Sequence, residues 1–420
     1  MRIEILCTGD ELLTGLTTDT NSPYFMGKLF ELGETVARSQ TVGDVREHIV
    51  EALTSLRSQC DAVLVSGGLG PTADDLTAEC AAAAAGVRLI ENAEVLAELK
   101  ARFAKRNFAF TPNNAKQALI PEGAEVVRNP VGTAPMFIQR IGRCTLFFVP
   151  GVPREYRALV DGEVLPRIAK LIAADPNRVF RAARLLKTIG LAESHLDAKV
   201  APLAKIHPRV TFGFRTHAPE NHLKLLAEGG TQREADEALA AAERDCREAL
   251  KPHVFGADRD SFASVLGALL RERGATVAVA ESCTGGSVCE LLSAPAGASS
   301  YFIGGAVVYA NAMKEKWAGV RPDTLRAHGA VSKEVSIELA EGVRRACETT
   351  YGLSITGVAG PSGGTPDKPV GTVHFALATS AGTQWQQQRM IGDRERIRLF
   401  AAAHALDMLR RHLLGVDFKS

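Results

Sequence analysis

The chain has 420 residues, 46% hydrophobic and 23% charged, which is typical of a folded protein with two to four domains. Its formal net charge of +1 gives no bulk attraction to nucleic acid or to an anionic membrane. No stretch approaches the roughly 20 apolar residues of a membrane span, and the N-terminus enters a strand-like run without a charged leader. We therefore expect a cytoplasmic protein.

The eight scattered cysteines contain no Cys-x-x-Cys pair, which argues against a zinc site and a disulfide framework.

The first segment alternates strand-like and helical stretches, which predicts a three-layer α/β domain with a mostly parallel sheet. The expected strands are Ile3–Thr8, Ala62–Ser66 and Thr145–Val149, and the expected helices are Asn21–Leu32 and Thr72–Ala85.

Each of these strands ends in a loop of unusual composition, and loops at the carboxyl ends of parallel strands converge on one crevice. Glycines let a phosphate approach the backbone, Thr72 can cap the next helix, and Asp10, Asp74 and Asp75 carry hard oxygen ligands. The sequence thus predicts a nucleotide-phosphate site with a divalent metal such as Mg²⁺ on Asp74 and Asp75. The alternative is that these two acids only complement a helix dipole. The residues of the predicted site are Gly9, Asp10, Glu11, Gly67, Gly68, Gly70, Thr72, Asp74, Asp75, Pro150 and Gly151.

A boundary is expected near residues 173–177, where Ala-Ala-Asp-Pro-Asn breaks a helix, and a small α+β unit follows. Its order of elements resembles KH-type modules. It lacks the Gly-x-x-Gly loop with which those modules clamp a nucleic-acid backbone, so nucleic-acid binding is disfavoured and a spacer or dimerisation role is favoured. The predicted elements are strands at Leu185–Ile189, Val210–Arg215 and His222–Ala227, helices at Ala192–Leu203 and Gln232–Leu250, and a linker at Lys251–Arg259.

The third segment opens with an amphipathic helix that starts at Phe262, because apolar residues recur there at helical spacing. It continues as alternating strands and helices. The predicted strands are Ala275–Ala280, Gly304–Ala310, Leu353–Val358, Gly371–Thr379 and Thr383–Ile391, and the predicted helices are Ser287–Leu292, Lys333–Tyr351 and one from Arg394.

Ser282 is the candidate nucleophile, because Glu-Ser-Cys-Thr-Gly-Gly lies where a strand turns into a helix. Backbone N–H groups left unpaired at the helix start, near Thr284 and Gly285, would suit an oxyanion. The alternative is that Ser282 merely caps the helix. Cys283 is a rival nucleophile, but adjacent side chains diverge in such a turn, so only one of the two should face the pocket.

Lys314 is the candidate base, because it follows the next parallel strand, whose end emerges on the same side of the sheet. A Ser-Lys pair requires this lysine to be desolvated or to lie beside another cation, since its ordinary pKa of about 10.4 makes it a poor base at neutral pH. The alternative is a solvated charge on a helix face.

Arg394 also stands out, because a cation in the first turn of a helix is unfavourable unless it holds an anion such as a phosphate. It could instead pair with Glu395 or a neighbouring helix.

These motifs together resemble the CinA proteins (competence/damage-inducible protein A) over essentially the full length. The resemblance rests on the loops at residues 9–15, 67–75, 130–135 and 150–153, and on the segments 280–286, 309–314, 356–364, 368–372 and 392–394.

The resemblance implies a MoaB/MogA-like domain over residues 1–172, a KH-like spacer over 176–254 and a nicotinamide-nucleotide amidase domain over 260–415. It implies hydrolysis of nicotinamide mononucleotide to nicotinic acid mononucleotide and ammonia, without a cofactor. Metal-dependent ADP-ribose pyrophosphatase activity is implied for the first domain, and a homodimer for the whole chain. The implied catalytic residues are Ser282, Lys314, Tyr309 and Thr356, and the implied substrate-binding residues are Thr284, Gly285, Ser299, Gly357 and Arg394.

Two other functions stay open at this point. One is a competence-associated scaffold for DNA processing with vestigial pockets, which would need a basic surface that the balanced charge does not favour. The other is molybdopterin binding by the first domain.

Overall fold

The computed structural model describes residues 1–175 and 178–416, and the chain divides into two compact units. The first contains Met1–Ala183 and Ala227–Glu237, and the second contains Arg184–Leu226 and Ala238–Ser420. The expected break near residues 173–177 includes Pro176 and Asn177, which lie outside the described residues. Within the described ranges, no helix combines the length and the apolar character that crossing a membrane requires.

The N-terminal segment forms a six-stranded sheet with helices on both faces, as the alternating pattern predicted, and a separate sheet of two short strands. Its strands are β1 (Ile3–Thr8), β2 (Arg38–Val42), β3 (Ala62–Ser66), β4 (Leu89–Glu91), β5 (Leu119–Pro121), β6 (Glu125–Val127), β7 (Met136–Ile141) and β8 (Cys144–Val149). Its helices are α1 (Asp10–Leu13), α2 (Asn21–Glu31), α3 (Arg46–Gln59), α4 (Thr77–Ala85), α5 (Ala93–Lys105), α6 (Pro153–Leu159) and α7 (Leu165–Ala174).

The six-stranded sheet has the order β2-β1-β3-β8-β7-β6, in which the first four strands are parallel and β7 runs antiparallel to both β8 and β6. Strands β4 and β5 pair antiparallel in the small sheet. Strands β1, β3 and β8 are buried along their whole length, because helices cover both faces. The core on one face includes Phe25 and Tyr156, and the core on the other includes Leu53 and Phe148. The carboxyl ends of β1, β3 and β8 therefore lie side by side.

The helix predicted to begin at Thr72 begins instead at Thr77. The Thr72 N–H donates to the Asp75 carboxylate at 2.8 Å, so residues 72–75 form a turn of their own before the helix. The N-cap position is Leu76, without a side-chain cap, and the prediction that Thr72 caps this helix is wrong.

The middle segment contains four strands rather than the three predicted, with the order β10-β11-β9-β12. The expected linker at Lys251–Arg259 is wrong over its central residues, because Val254–Ala257 pairs antiparallel with the strand Phe180–Ile189. The elements are β9 (Phe180–Ile189), α8 (Glu193–Ile206), β10 (Val210–His217), β11 (Glu220–Gly229), α9 (Gln232–Ala249) and β12 (Val254–Ala257).

The C-terminal segment is a second three-layer α/β arrangement. Its strands are β13 (Val277–Glu281), β14 (Phe302–Val307), β15 (Tyr351–Gly357), β16 (Thr372–Thr379) and β17 (Gly382–Arg389). Its helices are α10 (Phe262–Glu272), α11 (Ser287–Ser293), α12 (Asn311–Ala318), α13 (Pro322–His328), α14 (Lys333–Ala346) and α15 (Arg394–Leu413).

Strand β13 lies between β14 and β15, parallel to both, in the sheet order β14-β13-β15-β16-β17. All five of its residues are buried, since α10, α11 and α15 supply the core on one face and α12, α13 and α14 the core on the other. Helix α14 ends at Ala346, five residues before the predicted end. The turn after β13 is therefore anchored at the centre of the sheet.

Candidate functional site

Ser282 begins the turn that leaves the carboxyl end of β13. Its backbone N–H donates to the Ile355 carbonyl of β15 at 2.9 Å, which continues the ladder one residue beyond the strand. The side chain is 9% exposed. Helix α11 has Gly286 at its N-cap, without a side-chain cap, so Ser282 does not serve as a helix cap.

Lys314 points from α12 toward this serine. Its Nζ lies 3.3 Å from Ser282 Oγ, and it donates to the carbonyls of Val308 and Tyr309 at 2.7 and 2.9 Å. The side chain is 1% exposed, which excludes the interpretation as a solvated charge on a helix face. Burial lowers the pKa of Lys314, because removal from water disfavours the ammonium.

The three neighbours of Lys314 Nζ suit both protonation states. An ammonium has three donors, and three acceptors surround it. A neutral amine has two donors and one lone pair, so the two carbonyls can take its N–H groups while the lone pair faces the Ser282 hydroxyl. Among the described residues, no carboxylate forms an ion pair with Lys314 that would hold it in the charged form. The arrangement can therefore pass one proton between a hydroxyl and an amine.

Glu281, which was not among the predicted site residues, binds the start of α11. Its carboxylate is fully buried and accepts from the backbone N–H groups of Gly286, Val288 and Cys289 at 2.9, 3.2 and 2.8 Å. These three N–H groups at the helix start are therefore not open to a substrate, because a carboxylate already satisfies them. The Gly285 N–H is also occupied, since it donates to the Ser282 carbonyl at 3.2 Å. A signal existed in the sequence, as an acid at a strand end just before a helix start suits the helix dipole.

Cys283 faces away from the serine. Its side chain belongs to the core shared by α10, α11 and α15, and burial raises the pKa of its thiol to about 12. The reactive form of cysteine is the thiolate, so this residue is an inert core side chain at neutral pH. The expectation that only one of the adjacent pair would face the catalytic side agrees with this geometry.

Arg394 and Arg398, one turn apart on α15, both reach the strand ends. Arg394 donates to the Gly360 carbonyl at 2.8 Å and to the Tyr309 hydroxyl at 3.1 Å, not to Glu395. Arg398 donates to the Thr284 carbonyl at 2.9 Å and was not among the predicted site residues. Its spacing of four residues from Arg394 was the available signal. The two guanidinium groups place positive charge beside the Ser282 turn, and the exposed Tyr309 contacts one of them.

Thr284, Thr356 and Gly357 lie close to the same turn. Thr284 is fully buried, and its hydroxyl has no hydrogen-bond partner among the described residues. Thr356 is also fully buried but donates to the Ala330 carbonyl at 2.8 Å. Gly357 ends β15 where a Cβ would meet the Thr372 carbonyl at 2.8 Å, so a side chain does not fit there.

Ser299 does not lie near the Ser282 turn of the same chain. Strands β13 and β14 are parallel, with Val277 opposite Phe302 and Glu281 opposite Val307. Ser282 follows β13 and Ser299 precedes β14, so the two serines lie at opposite ends of the sheet. The assignment of Ser299 to the same pocket is wrong for a single chain.

The N-terminal loops surround a cavity of about 540 Å³ at the carboxyl ends of β1, β3 and β8. Two residues of the predicted site do not line it, Asp10 and Thr72, because Asp10 bonds to the Asp44 backbone and Thr72 to Asp75. Asp19, Asn21, Asp44 and Glu155 line it and were not predicted. The predicted residues that do line it are Gly9, Glu11, Gly67, Gly68, Gly70, Asp74, Asp75, Pro150 and Gly151.

The metal predicted on Asp74 and Asp75 can be tested against these side chains. Among the described residues, no group of three or more His, Cys, Asp and Glu side chains is placed to hold a metal ion by itself. One oxygen of Asp75 already accepts from Thr72. Burial, and then the nearby charges of Asp10, Glu11 and Asp74, raise the pKa of Asp44. Because Mg²⁺ usually takes only one or two carboxylates together with substrate phosphates and water, Asp44 and Asp74 fit an ion that arrives with a nucleotide.

Three family models match successive parts of the chain. A probable molybdopterin-binding domain matches residues 4–170, the KH domain of the damage-inducible protein CinA matches 183–256, and the CinA C-terminal domain matches 259–413.

Curated relatives match over nearly the whole length. A CinA-like protein of Myxococcus xanthus is 56% identical over 416 residues, which is 99% of each chain. A CinA-like protein of Anaeromyxobacter sp. is 48% identical and covers 98% of each chain. A crystal structure of a competence-damaged protein (CinA) superfamily member from Klebsiella pneumoniae is 31% identical, with a TM-score of 0.36, and covers 37% of this chain and 96% of its own.

Proposed function

Because the chain belongs to the CinA-like proteins, we propose that its C-terminal domain hydrolyses nicotinamide mononucleotide to nicotinic acid mononucleotide and ammonia. The observation that carries this proposal is the distance of 3.3 Å between Lys314 Nζ and Ser282 Oγ inside a buried environment. A hydroxyl becomes a nucleophile when a positioned base takes its proton, and a desolvated lysine is such a base.

The proposed reaction proceeds in two halves. Ser282 Oγ attacks the carboxamide carbon while its proton passes to Lys314, and the C–N bond then breaks as Lys314 returns the proton to the departing nitrogen. Ammonia leaves and an ester remains on Ser282. Water then attacks the ester with Lys314 again as base, which releases the carboxylate product and restores the serine. No cofactor is needed for this sequence.

The negative charge that develops on the attacked oxygen requires a donor. Since Glu281 occupies three of the N–H groups at the start of α11, the Thr284 hydroxyl is the donor that we propose for this role. The substrate phosphate is assigned to Arg394, whose present contacts are a carbonyl and a phenol rather than a carboxylate. A phosphate would give it a charge-assisted bond in their place.

The decisive experiment is ammonia release from nicotinamide mononucleotide by the purified full chain. Ser282→Ala and Lys314→Met should each abolish release, while Ser293→Ala, an exposed serine at the end of α11, should retain it. Full activity in the Ser282→Ala variant refutes the assignment. If the unaltered chain released no ammonia from nicotinamide mononucleotide but did release it from another amide, Ser282 would keep its role and the assigned substrate would be wrong.

A second activity is supported by the N-terminal cavity of about 540 Å³. We infer metal-dependent hydrolysis of ADP-ribose there. Glycine-rich loops at three parallel strand ends suit a diphosphate, and Asp44 and Asp74 would hold Mg²⁺, which supplies charge neutralisation for the phosphates when bound. Asp75 has a different role in this proposal, because it shapes the turn at residues 72–75.

This second activity is tested by following ADP-ribose cleavage with and without Mg²⁺. Asp44→Asn and Asp74→Asn should lose the metal-dependent rate, and Glu51→Gln, an exposed acid on α3, should keep it. Unchanged rates in both variants would argue against the site. Molybdopterin that co-purifies with the chain, without ADP-ribose cleavage, would favour the cofactor-binding alternative, and strongly salt-dependent DNA affinity would favour the scaffold alternative.

A further inference from the structure

The second compact unit contains a cavity of about 440 Å³ that is separate from the Ser282 turn. One wall is helix α15 with Phe400, Ala403 and His404, and the opposite wall consists of the turns at residues 189–193 and 216–221. Small-molecule sites in proteins usually measure roughly 300 to 1,000 Å³ and combine apolar walls with a few polar groups. The size and the lining of this cavity both meet that description.

The helix wall carries a cation without an anionic partner. The Arg396 guanidinium stacks over the Phe400 ring at 4.5 Å from its centroid, and it forms no ion pair with any described residue. Asp407, on the same wall, does not neutralise it, because its carboxylate accepts from Arg410 at 2.8 Å and from Arg411 at 2.9 Å. An anionic group at this end of the cavity would therefore meet an available guanidinium above an aromatic surface.

The opposite wall carries acceptors. The carboxylates of Glu193 and Glu220 line it, the first bonded to the Thr216 hydroxyl and the second to His222 at 2.7 Å. Asn221 uses its amide N–H₂ on the Leu191 carbonyl at 2.7 Å, which leaves its Oδ1 without a donor among the described residues. A ligand that donates N–H bonds would be complementary to this wall.

We propose that this cavity binds a nucleoside monophosphate whose base carries an exocyclic amine. The phosphate pairs with Arg396, the flat base packs against the apolar lining, and the amine donates to the acidic wall. Arg394 and Arg398, assigned above to the Ser282 turn, do not line this cavity, so the inference does not depend on the amidase reaction.

Binding of adenosine monophosphate to the full chain, measured by titration calorimetry, tests the class of ligand. Adenosine, which lacks the phosphate, and inosine monophosphate, which presents a carbonyl in place of the amine, should each bind more weakly. Arg396→Ala should weaken adenosine monophosphate by about tenfold or more and remove its advantage over adenosine. Arg389→Ala, an exposed arginine of β17 outside the cavity, is the matched control and should change nothing.

The place of binding is tested separately, because the N-terminal cavity can also take a nucleotide. After photolabelling with 8-azidoadenosine monophosphate, labelled peptides should include residues 189–193 or 216–221, and the Arg396→Ala variant should lose them. Labels found only within residues 7–155 would overturn the proposal. So would equal affinities in the Arg396→Ala and Arg389→Ala variants, or no binding at concentrations on the order of 1 mM.

Discussion

The Glu281 carboxylate accepts the backbone N–H of Cys289 at 2.8 Å, although the two residues lie on either side of the nucleophile turn. With its bonds to Gly286 and Val288, Glu281 ties the end of β13 to the first turn of α11. These bonds hold both ends of the segment between them. We infer that Glu281 is a positioning residue that acts through the turn rather than on the substrate.

Glu281→Gln should therefore lower kcat more than it changes KM. The amide has one acceptor oxygen in place of two and turns an N–H₂ group toward backbone donors, which costs roughly 1 to 3 kcal/mol for each buried group left unsatisfied. We expect a loss of kcat of about 10 to 100-fold, together with a lower midpoint of urea unfolding. Glu290→Gln, an exposed acid on the same helix, should match the unaltered chain in both measurements. A normal kcat despite reduced stability would limit Glu281 to a structural role.

The dependence on pH follows from the lowered pKa of Lys314. The neutral amine is the active form, so kcat/KM for nicotinamide mononucleotide should rise with pH and reach its plateau below the ordinary lysine value of about 10.4. The same shift affects stability with a definite sign. Between the lowered folded pKa and the ordinary unfolded pKa, the unfolded chain binds more protons, so the free energy of unfolding rises with pH across that window.

Lys314→Met provides the comparison, since it removes the titrating group. The difference in unfolding free energy between the unaltered chain and this variant should grow in favour of the lysine as the pH rises through the window. A kcat/KM profile that is flat from pH 6 to about 10 would contradict the role of Lys314 as base.

Arg394 and Arg398 should differ in which kinetic constant they control. Arg394→Ala removes a phosphate contact in the proposed complex, and a charge-assisted bond of about 1.5 to 3 kcal/mol predicts a KM raised by roughly 10 to 100-fold. Arg398→Ala instead removes the donor to the Thr284 carbonyl and should mainly lower kcat. Steady-state kinetics with nicotinamide mononucleotide separates the two. An unchanged KM in Arg394→Ala would exclude the phosphate contact.

Periodicity and strand-end composition were sufficient to predict the large N-terminal and C-terminal sheets and the proximity of the Ser282 and Lys314 side chains. Both predictions depend on local sequence pattern and on the rule that the carboxyl ends of parallel strands lie at the same edge of a sheet. Two failures concern hydrogen bonds between a side chain and nearby backbone N–H groups. Thr72 was expected to cap a helix but bonds to Asp75. Glu281 was overlooked, although it accepts from the Gly286, Val288 and Cys289 N–H groups at the start of α11. Ser299 was misplaced for a topological reason: it precedes β14, which runs parallel to β13, and therefore lies at the opposite end of the sheet from Ser282.

Gly342 connects the packing of the C-terminal domain to the position of Lys314. It lies on α14 where a Cβ would come within 1.6 Å of the Ala318 carbonyl oxygen, at the end of the helix that carries Lys314. A backbone carbonyl cannot yield as a flexible side chain can, so Gly342→Ala must move α12 away from α14.

We expect this substitution to destabilise the chain by about 1 to 3 kcal/mol, as overpacking does, although alanine favours helix formation by roughly 1 kcal/mol. Displacement of α12 should also lengthen the contact between Lys314 Nζ and Ser282 Oγ and lower kcat by about tenfold or more, because small misplacements of catalytic groups are costly. Gly27→Ala, on α2, is the matched control, since a Cβ there meets no atom within 4 Å and should be neutral or stabilising. Thermal unfolding and ammonia release measure both effects. Loss of stability with an unchanged kcat would mean that α12 and α14 separate without moving the lysine, and the catalytic pair would then be positioned by the Val308 and Tyr309 carbonyls alone.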